Sequence, residues 1–147
     1  MIRILPPKLF IFSVLVMVLL NFTIPFMKII EYPFNLLGII LLITGLAISQ
    51  IGSNKFKKAG TTVMTFDEPD KLVMDGLYKY TRNPMYLGFV ISLLGLFIIL
   101  GTLSPLVIVI MFFIITDQWY IKFEESKLIA KFGENYQSYK KKVRKWF

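Results

Sequence analysis

The sequence predicts an all-α integral membrane protein of about four transmembrane helices, with a cytosolic loop and C-terminal amphipathic helices. Three observations carry this expectation. Of the 147 residues 56% are hydrophobic, and the mean hydropathy is +0.66, too apolar for an ordinary soluble domain. Four apolar stretches reach the roughly 17 to 25 residues that a bilayer-spanning helix needs. Finally, the 17 basic residues are distributed unevenly along the chain.

The first span, Leu9 to Met27, follows Arg3 and Lys8. Its apolar run is long and no small-x-small cleavage site follows it, so it reads as a span and not as a signal peptide. A short connector holding Lys28 and Glu31 leads to the second, Phe34 to Gly52. The third, Pro84 to Gly101, and the fourth, Pro105 to Phe123, are separated only by "GTLSP". Both connectors are nearly neutral, and of the basic residues only Lys28 lies on their side. The positive-inside rule therefore places both termini and the central loop in the cytosol. The net charge of +8 fits the anionic lipids of that face and gives no ground for nucleic acid as a partner. The chain divides into two N-terminal transmembrane helices, residues 1–53, and a core of loop, helical hairpin and C-terminal helix, residues 54–147.

The loop from Ser53 to Arg82 contains "KFKKAGTT", "DEPDK" and the turn "MDGLY", and is too long for a minimal connector. Its apolar residues Val63, Met64, Phe66, Leu72, Val73 and Leu77 alternate with charge, which predicts an ordered segment against the membrane face. After the fourth span, Leu128, Phe132, Tyr136, Tyr139 and Val143 recur at helical spacing and form one apolar stripe opposite a face of lysines. Gly133 interrupts it, since glycine costs about 1 kcal/mol relative to alanine inside a helix. Two short amphipathic pieces on the cytosolic surface are expected.

The chain has no histidine and no cysteine, which excludes disulfides, thiol nucleophiles, His-based metal sites and Ser-His-Asp catalysis. Chemistry is left to Asp, Glu, Lys, Arg, Tyr, Asn, Ser and Thr, or to a bound cofactor. No metal is expected. In "TRNPMYLGF", residues 81–89, Asn83 and Pro84 are a helix N-cap and first helical residue. A helix start exposes unpaired N–H groups, and Arg82 adds a forked cation, so the place suits a carboxylate; Arg82 as a topology anchor is the alternative. Glu124 and Glu125 stand where the fourth span emerges. Helix neighbours are about 100° apart, so one binds while the other braces, unless both are simply solvated. Asp117 lies inside the fourth span, where charge is expensive and must face protein. It serves either a substrate path or a pairing with Gln118, Thr116 or another span. Tyr78, Tyr80, Tyr86, Trp119 and Tyr120 fit an interfacial aromatic belt. Gly38 and Gly45, like Gly88 and Gly95, lie two turns apart and predict close helix packing.

Taken together, "DKLVMDGLYKYTRNPMYLGF", a hairpin of two spans and "EESKLIAKFGENYQSYKKKVRKWF" resemble the isoprenylcysteine carboxyl methyltransferase family and its bacterial homologues. The phospholipid N-methyltransferases have a related layout. The resemblance covers residues 61–147 and rests on an Arg-(His/Asn)-Pro-x-Tyr-x-Gly motif and a Glu-Glu-x-x-Leu-x-x-x-Phe-Gly-x-x-Tyr-x-x-Tyr motif. It implies S-adenosyl-L-methionine as cofactor and a pocket formed at the cytosolic membrane boundary, in a bacterial inner membrane. It further implies cofactor contacts from Lys71, Leu72, Val73, Tyr78, Asn83, Pro84, Met85, Tyr86 and Glu124, with Arg82 receiving the methionine carboxylate. Two positions depart from the eukaryotic pattern: Asn83 replaces a histidine, and Tyr120 stands where prenylcysteine enzymes have an arginine.

A sulfonium methyl is already activated, so the protein's task is alignment and exclusion of water. A carboxylate or thiolate acceptor needs no base; an amine or phenol would need Glu125, Asp117 or Tyr120 to take a proton. The expected acceptor is a lipophilic small molecule or lipidated substrate that enters laterally between spans, among membrane lipids. Phospholipid amine methylation is the second enzymatic reading, and a noncatalytic four-helix scaffold or lipid-binding protein the third. The oligomeric state is left open by the sequence.

Overall fold

The structure, a computed structural model, describes residues 4–60, 67 and 70–146. Helix α1, Pro6–Thr23, starts on proline, whose fixed φ suits a first turn. It stops before the apolar stretch does. Pro25 disfavours helical geometry at the residue before it, and Ile24 leaves the helix at φ −137°, ψ 66°. The chain continues extended, pairing Lys28 with Thr102 in an isolated antiparallel bridge. Thr102 Oγ1 donates to Asn21 Oδ1 at 2.7 Å, and Ser104 Oγ to the Ile24 carbonyl at 2.7 Å, so the two short connectors form one cap.

A single 3₁₀ turn, Phe34–Leu36, leads into α2, Leu37–Ala59. The helix runs two turns beyond the apolar span, because "SNKFKKA" is polar yet helix-compatible. Gly60 ends it at φ 67°, its N–H returning to the Lys57 carbonyl at 3.1 Å. Of the central loop, Val63, Met64 and Phe66 lie outside the described residues. Leu72 and Leu77 are half-buried and Val73 is buried. A short 3₁₀ helix, Gly76–Lys79, precedes the third span.

Helix α3, Pro84–Leu100, runs against α2 at backbone contact. A Cβ on Gly88 would stand 2.5 Å from the Gly45 carbonyl oxygen and 2.5 Å from the Ser49 nitrogen, and one on Gly95 would stand 2.6 Å from the Gly38 oxygen. The expected close approach of the two glycine pairs is thus met, Gly45 facing Gly88 and Gly38 facing Gly95. Ser92 strengthens the seam through its hydroxyl, which reaches the Leu42 carbonyl of α2 at 3.3 Å as well as the Gly88 carbonyl of its own helix at 2.8 Å.

Helix α4, Ser104–Ile115, passes through a π-helical segment, Thr116–Ile121, into α5, Lys122–Lys142. Thr116 supplies a physical reason for the wider winding. Its hydroxyl, fully buried, reaches both the Phe112 carbonyl at 2.8 Å and the Phe113 carbonyl at 3.0 Å, competing within the backbone ladder. Gly133 breaks α5 at φ 49°, ψ −123°, as expected from the sequence.

The core joins α1, α3 and α4 through Met17, Phe89, Leu93, Val109 and Phe112. Phe10 stacks on Phe89 at 4.7 Å between ring centroids. On the outside, large apolar residues such as Phe12, Leu15, Leu19, Ile40, Ile110 and Ile114 are more than half exposed, the pattern of helices facing lipid. Three described helices are long and apolar enough to cross a membrane, Pro6–Thr23, Phe34–Ala59 and Ser104–Lys142, and Pro84–Leu100 is a shorter apolar helix. Among the described residues no named strand forms. The protein is an all-α membrane protein.

Candidate active site

The third span begins with Pro84 at its first helical position and Asn83 as the preceding residue. Asn83 does not cap the helix with its side chain. Its amide donates instead to the Lys145 carbonyl at 3.0 Å, while Thr81 Oγ1 accepts the Asn83 N–H at 3.2 Å. Neighbouring bonds continue the pattern: Arg82 N–H to the Arg144 carbonyl at 3.0 Å and Thr81 Oγ1 to the Lys145 carbonyl at 3.1 Å. The extended residues after α5 therefore run alongside the start of α3.

Arg82 ties the assembly together. Its guanidinium donates to the Val143 carbonyl at 2.6 Å, the Lys140 carbonyl at 3.2 Å and Glu125 Oε1 at 2.7 Å. Lys140 holds the other oxygen of Glu125 at 2.7 Å. Burial by itself would raise the Glu125 carboxyl, but the hydrogen bonds from Lys140 and Arg82 outweigh it and hold that carboxyl below its usual range. Next to this pair, Tyr86 Oη donates to Glu124 Oε1 at 2.7 Å. Residues 82–86 and 124–125 thus meet at one place, and the adjacent carboxylates divide their work as helix geometry requires.

They meet on a cavity of about 1050 Å³. Lys71, Leu72 and Val73 of the loop line it, as do Tyr78, Arg82, Asn83, Met85, Tyr86, Glu124 and Glu125. Pro84 is fully buried and sits behind the wall, where it starts the helix. Tyr78 is held at the wall by the edge of Phe56, 5.3 Å between centroids, and its carbonyl accepts Tyr139 Oη at 2.7 Å. Burial drives the Tyr78 phenol far above its ordinary range, with the Glu124 charge adding to the effect. It stays neutral at any physiological pH.

Asp117 and Tyr120 are not brought into this lining. Asp117 forms an ion pair with Lys145, accepts Trp146 Nε1–H at 2.9 Å and accepts Gln118 Nε2–H at 2.7 Å. Its charge is thereby matched inside the apolar span. Tyr120 donates to the Ile4 carbonyl at 2.8 Å, fixing the start of α1. The five aromatic residues also separate: Tyr80 and Trp119 are exposed at 77% and 76%, as an interfacial belt requires, whereas Tyr78 and Tyr86 are buried at 5% and 6%.

Several lining residues escaped the sequence reading. Tyr136 and Tyr139 of α5 are buried over Arg82 and the cavity, so the aromatic stripe of that helix covers protein and not a membrane surface. Burial pushes the Tyr139 phenol up to about 12. Leu5 before α1, Pro6 and Pro7 of α1, and Ile43, Leu46, Ala47, Gln50 and Phe56 of α2 add a further wall. The signal for it was present: Gln50 follows Ile43, Leu46 and Ala47 at helical spacing and is polar within an apolar span.

A model of the phospholipid methyltransferase family matches residues 33–135. Over 143 residues, covering 90% of this chain and 58% of the relative, the chain is 32% identical to a protein-S-isoprenylcysteine O-methyltransferase of Saccharomyces cerevisiae. A protein of the same name from Schizosaccharomyces pombe is 39% identical over 75 residues, 49% of this chain and 30% of the relative. An uncharacterized protein of Haemophilus influenzae is 40% identical over 62 residues, 42% of this chain and 98% of the relative. The chain spans between about a third and three fifths of the length of the two yeast relatives. The family match takes in the start of α3, the hairpin and α5 as far as residue 135, so the two blocks that meet on the cavity fall within it or run on from its end. This chain belongs to the phospholipid methyltransferase family, with protein-S-isoprenylcysteine O-methyltransferases among its relatives.

Proposed function

We propose that the chain is an S-adenosyl-L-methionine-dependent methyltransferase acting on a lipophilic acceptor, with carboxyl O-methylation of an isoprenylcysteine-like substrate favoured by its relatives. The observation that carries this reading is the joining of Tyr86 with Glu124 and of Arg82 with Glu125 on one cavity. That cavity has charged and aromatic residues at one end and Leu46, Ala47 and Phe89 at the other. Positive-inside asymmetry supports a cytosolic placement of the polar end.

The residues fit the proposed cofactor. Glu124 offers carboxylate oxygens to hydroxyl and amino donors, Tyr78 and Phe56 provide aromatic faces, and Lys57, Lys71 and Lys127 surround the polar mouth. When bound, a sulfonium cofactor supplies a methyl group that is already activated. Tyr86 fixes the Glu124 carboxylate by its hydrogen bond. Arg82 holds Glu125 and the backbone after α5, keeping the polar wall in one arrangement. Asn83, Met85, Leu72 and Val73 close the site and exclude water, which would otherwise compete as acceptor.

Isothermal calorimetry with S-adenosylhomocysteine on the detergent-purified protein tests the cofactor reading: saturable binding is expected, weakened by Glu124→Ala. Silence from a folded wild-type protein would favour a noncatalytic membrane protein. The family description also supports phospholipid amine methylation. Transfer of labelled methyl to a lipid extract separates the two, since a methyl ester releases methanol in base and a methylated amine does not.

A further inference from the structure

One face of α2 carries Ile43, Leu46, Ala47, Gln50, Ser53 and Lys57, and all six line the cavity. At spacings of three and four they form one stripe along the helix. Its character changes from apolar through neutral polar to charged, with Gln50 about 10 Å from either end at 1.5 Å rise per residue. The contact with α3 fixes what lies level with it. The Ser49 nitrogen adjoins Gly88 and Gly52 adjoins Met85, so Gln50 sits at the height of residues 85–88, which include Tyr86 and its bond to Glu124.

Among the described residues the Gln50 side chain makes one hydrogen bond, Nε2 to Asn54 Oδ1 at 2.8 Å. A carboxamide has two donor hydrogens and an accepting oxygen, so a second N–H and the carbonyl are left for a ligand. The cation nearest in function, Arg82, already serves Glu125 and two backbone carbonyls. A neutral donor also suits the chemistry. A carboxylate loses its charge as it becomes an ester, so a full cation would stabilise the bound acceptor more than the transition state.

We propose that Gln50 positions the methyl acceptor, its amide N–H donating to the acceptor's carboxylate while the apolar chain lies along Ile43, Leu46 and Ala47. This rests on the methyltransferase reading and adds the residue that selects the headgroup. In the step served, a carboxylate oxygen forms the new C–O bond to the methyl carbon. The C–S bond breaks with its electron pair passing to sulfur, which changes from sulfonium to neutral thioether. No proton moves.

The test uses N-acetyl-S-farnesylcysteine as acceptor probe with labelled S-adenosylmethionine. Gln50→Leu is expected to raise the probe's KM by about 10- to 100-fold, the effect of losing a hydrogen bond to a charged group, with kcat changed far less and S-adenosylhomocysteine affinity unchanged. Gln50→Asn should fall between. Because the chain contains no cysteine, Gln50→Cys and Lys58→Cys each create a single thiol, and the probe should slow alkylation of the first about tenfold and leave the second alone. That measurement decides the matter even without turnover. An unchanged KM in Gln50→Leu, an unprotected Gln50→Cys, or equal loss of cofactor affinity overturns the proposal. Absence of S-adenosylhomocysteine binding in the wild type defeats the methyltransferase reading itself.

Discussion

Tyr86 of α3 gives its phenolic hydrogen to Glu124 at the start of α5 across 2.7 Å. The bond closes the polar end of the cavity from two sides and joins the two motif blocks through side chains. Tyr86→Phe keeps the ring and removes the donor, leaving a partly buried carboxylate with one partner fewer. We expect S-adenosylhomocysteine affinity to fall about 10-fold by calorimetry in Tyr86→Phe and further in Glu124→Ala. The melting temperature of Tyr86→Phe should change little.

Arg82 has an 8% exposed side chain and Glu125 a 13% exposed one. Removing the arginine leaves the Glu125 carboxylate to Lys140 alone and takes a donor from two backbone carbonyls at once. Arg82→Ala is expected to cost about 3 kcal/mol in detergent unfolding experiments, and Arg82→Lys to recover part of it, since a single ammonium does not reproduce the fork. Adding Glu125→Gln to Arg82→Ala should recover part of the loss, because no carboxylate that has lost one of its two cationic partners remains.

The same pair sets an acid limit. The Glu125 carboxyl is held below its ordinary 4.5 in the folded protein. Its contribution is therefore complete above about 4.5 and disappears as the pH falls through the lower folded value. Melting temperature measured between about pH 6 and pH 3 should drop in the wild type. In Glu125→Gln the drop should be shallower, starting from a lower plateau.

Two glycines predict losses of different origin. A Cβ on Gly88 meets the α2 backbone at 2.5 Å, so Gly88→Ala must push two helices apart, at a cost of about 1–3 kcal/mol. Gly133 has open space around it but a φ of 49° with ψ −123°. Gly133→Ala loses about 1–2 kcal/mol through backbone strain alone. Combining Gly88→Ala with Gly45→Ala should be strongly non-additive, since both act on one contact, whereas Gly88→Ala and Gly133→Ala should add.

Much of this arrangement is legible in the order of residues. Four apolar stretches give the helices, the glycine spacings give the α2–α3 seam, and the motif blocks around Tyr86 and Glu124 fall at one cavity. Helix ends are less legible, because hydropathy reports where lipid is and not where the backbone stops winding. Thus α2 continues to Ala59 through charged residues, and α1 halts at Thr23 because of Pro25. Long-range pairing is not encoded locally at all. Nothing near Asn83 shows that its amide serves Lys145 and not its own helix, and nothing near Asp117 names Trp146 as its donor. The wall contributed by α2 went unread because a glutamine at helical spacing marks a face of the span without naming what that face meets.

The wide turn from Thr116 to Ile121 has a bearing on how such chains diverge. A wide turn takes up one extra residue at nearly the same total sweep, so deleting one residue there would restore ordinary winding and leave the Glu124 carboxylate turned toward the tyrosine. The turn therefore holds one residue of slack: a single loss is absorbed there, whereas a second loss would re-aim the whole C-terminal arm by about 100° without altering any residue on it.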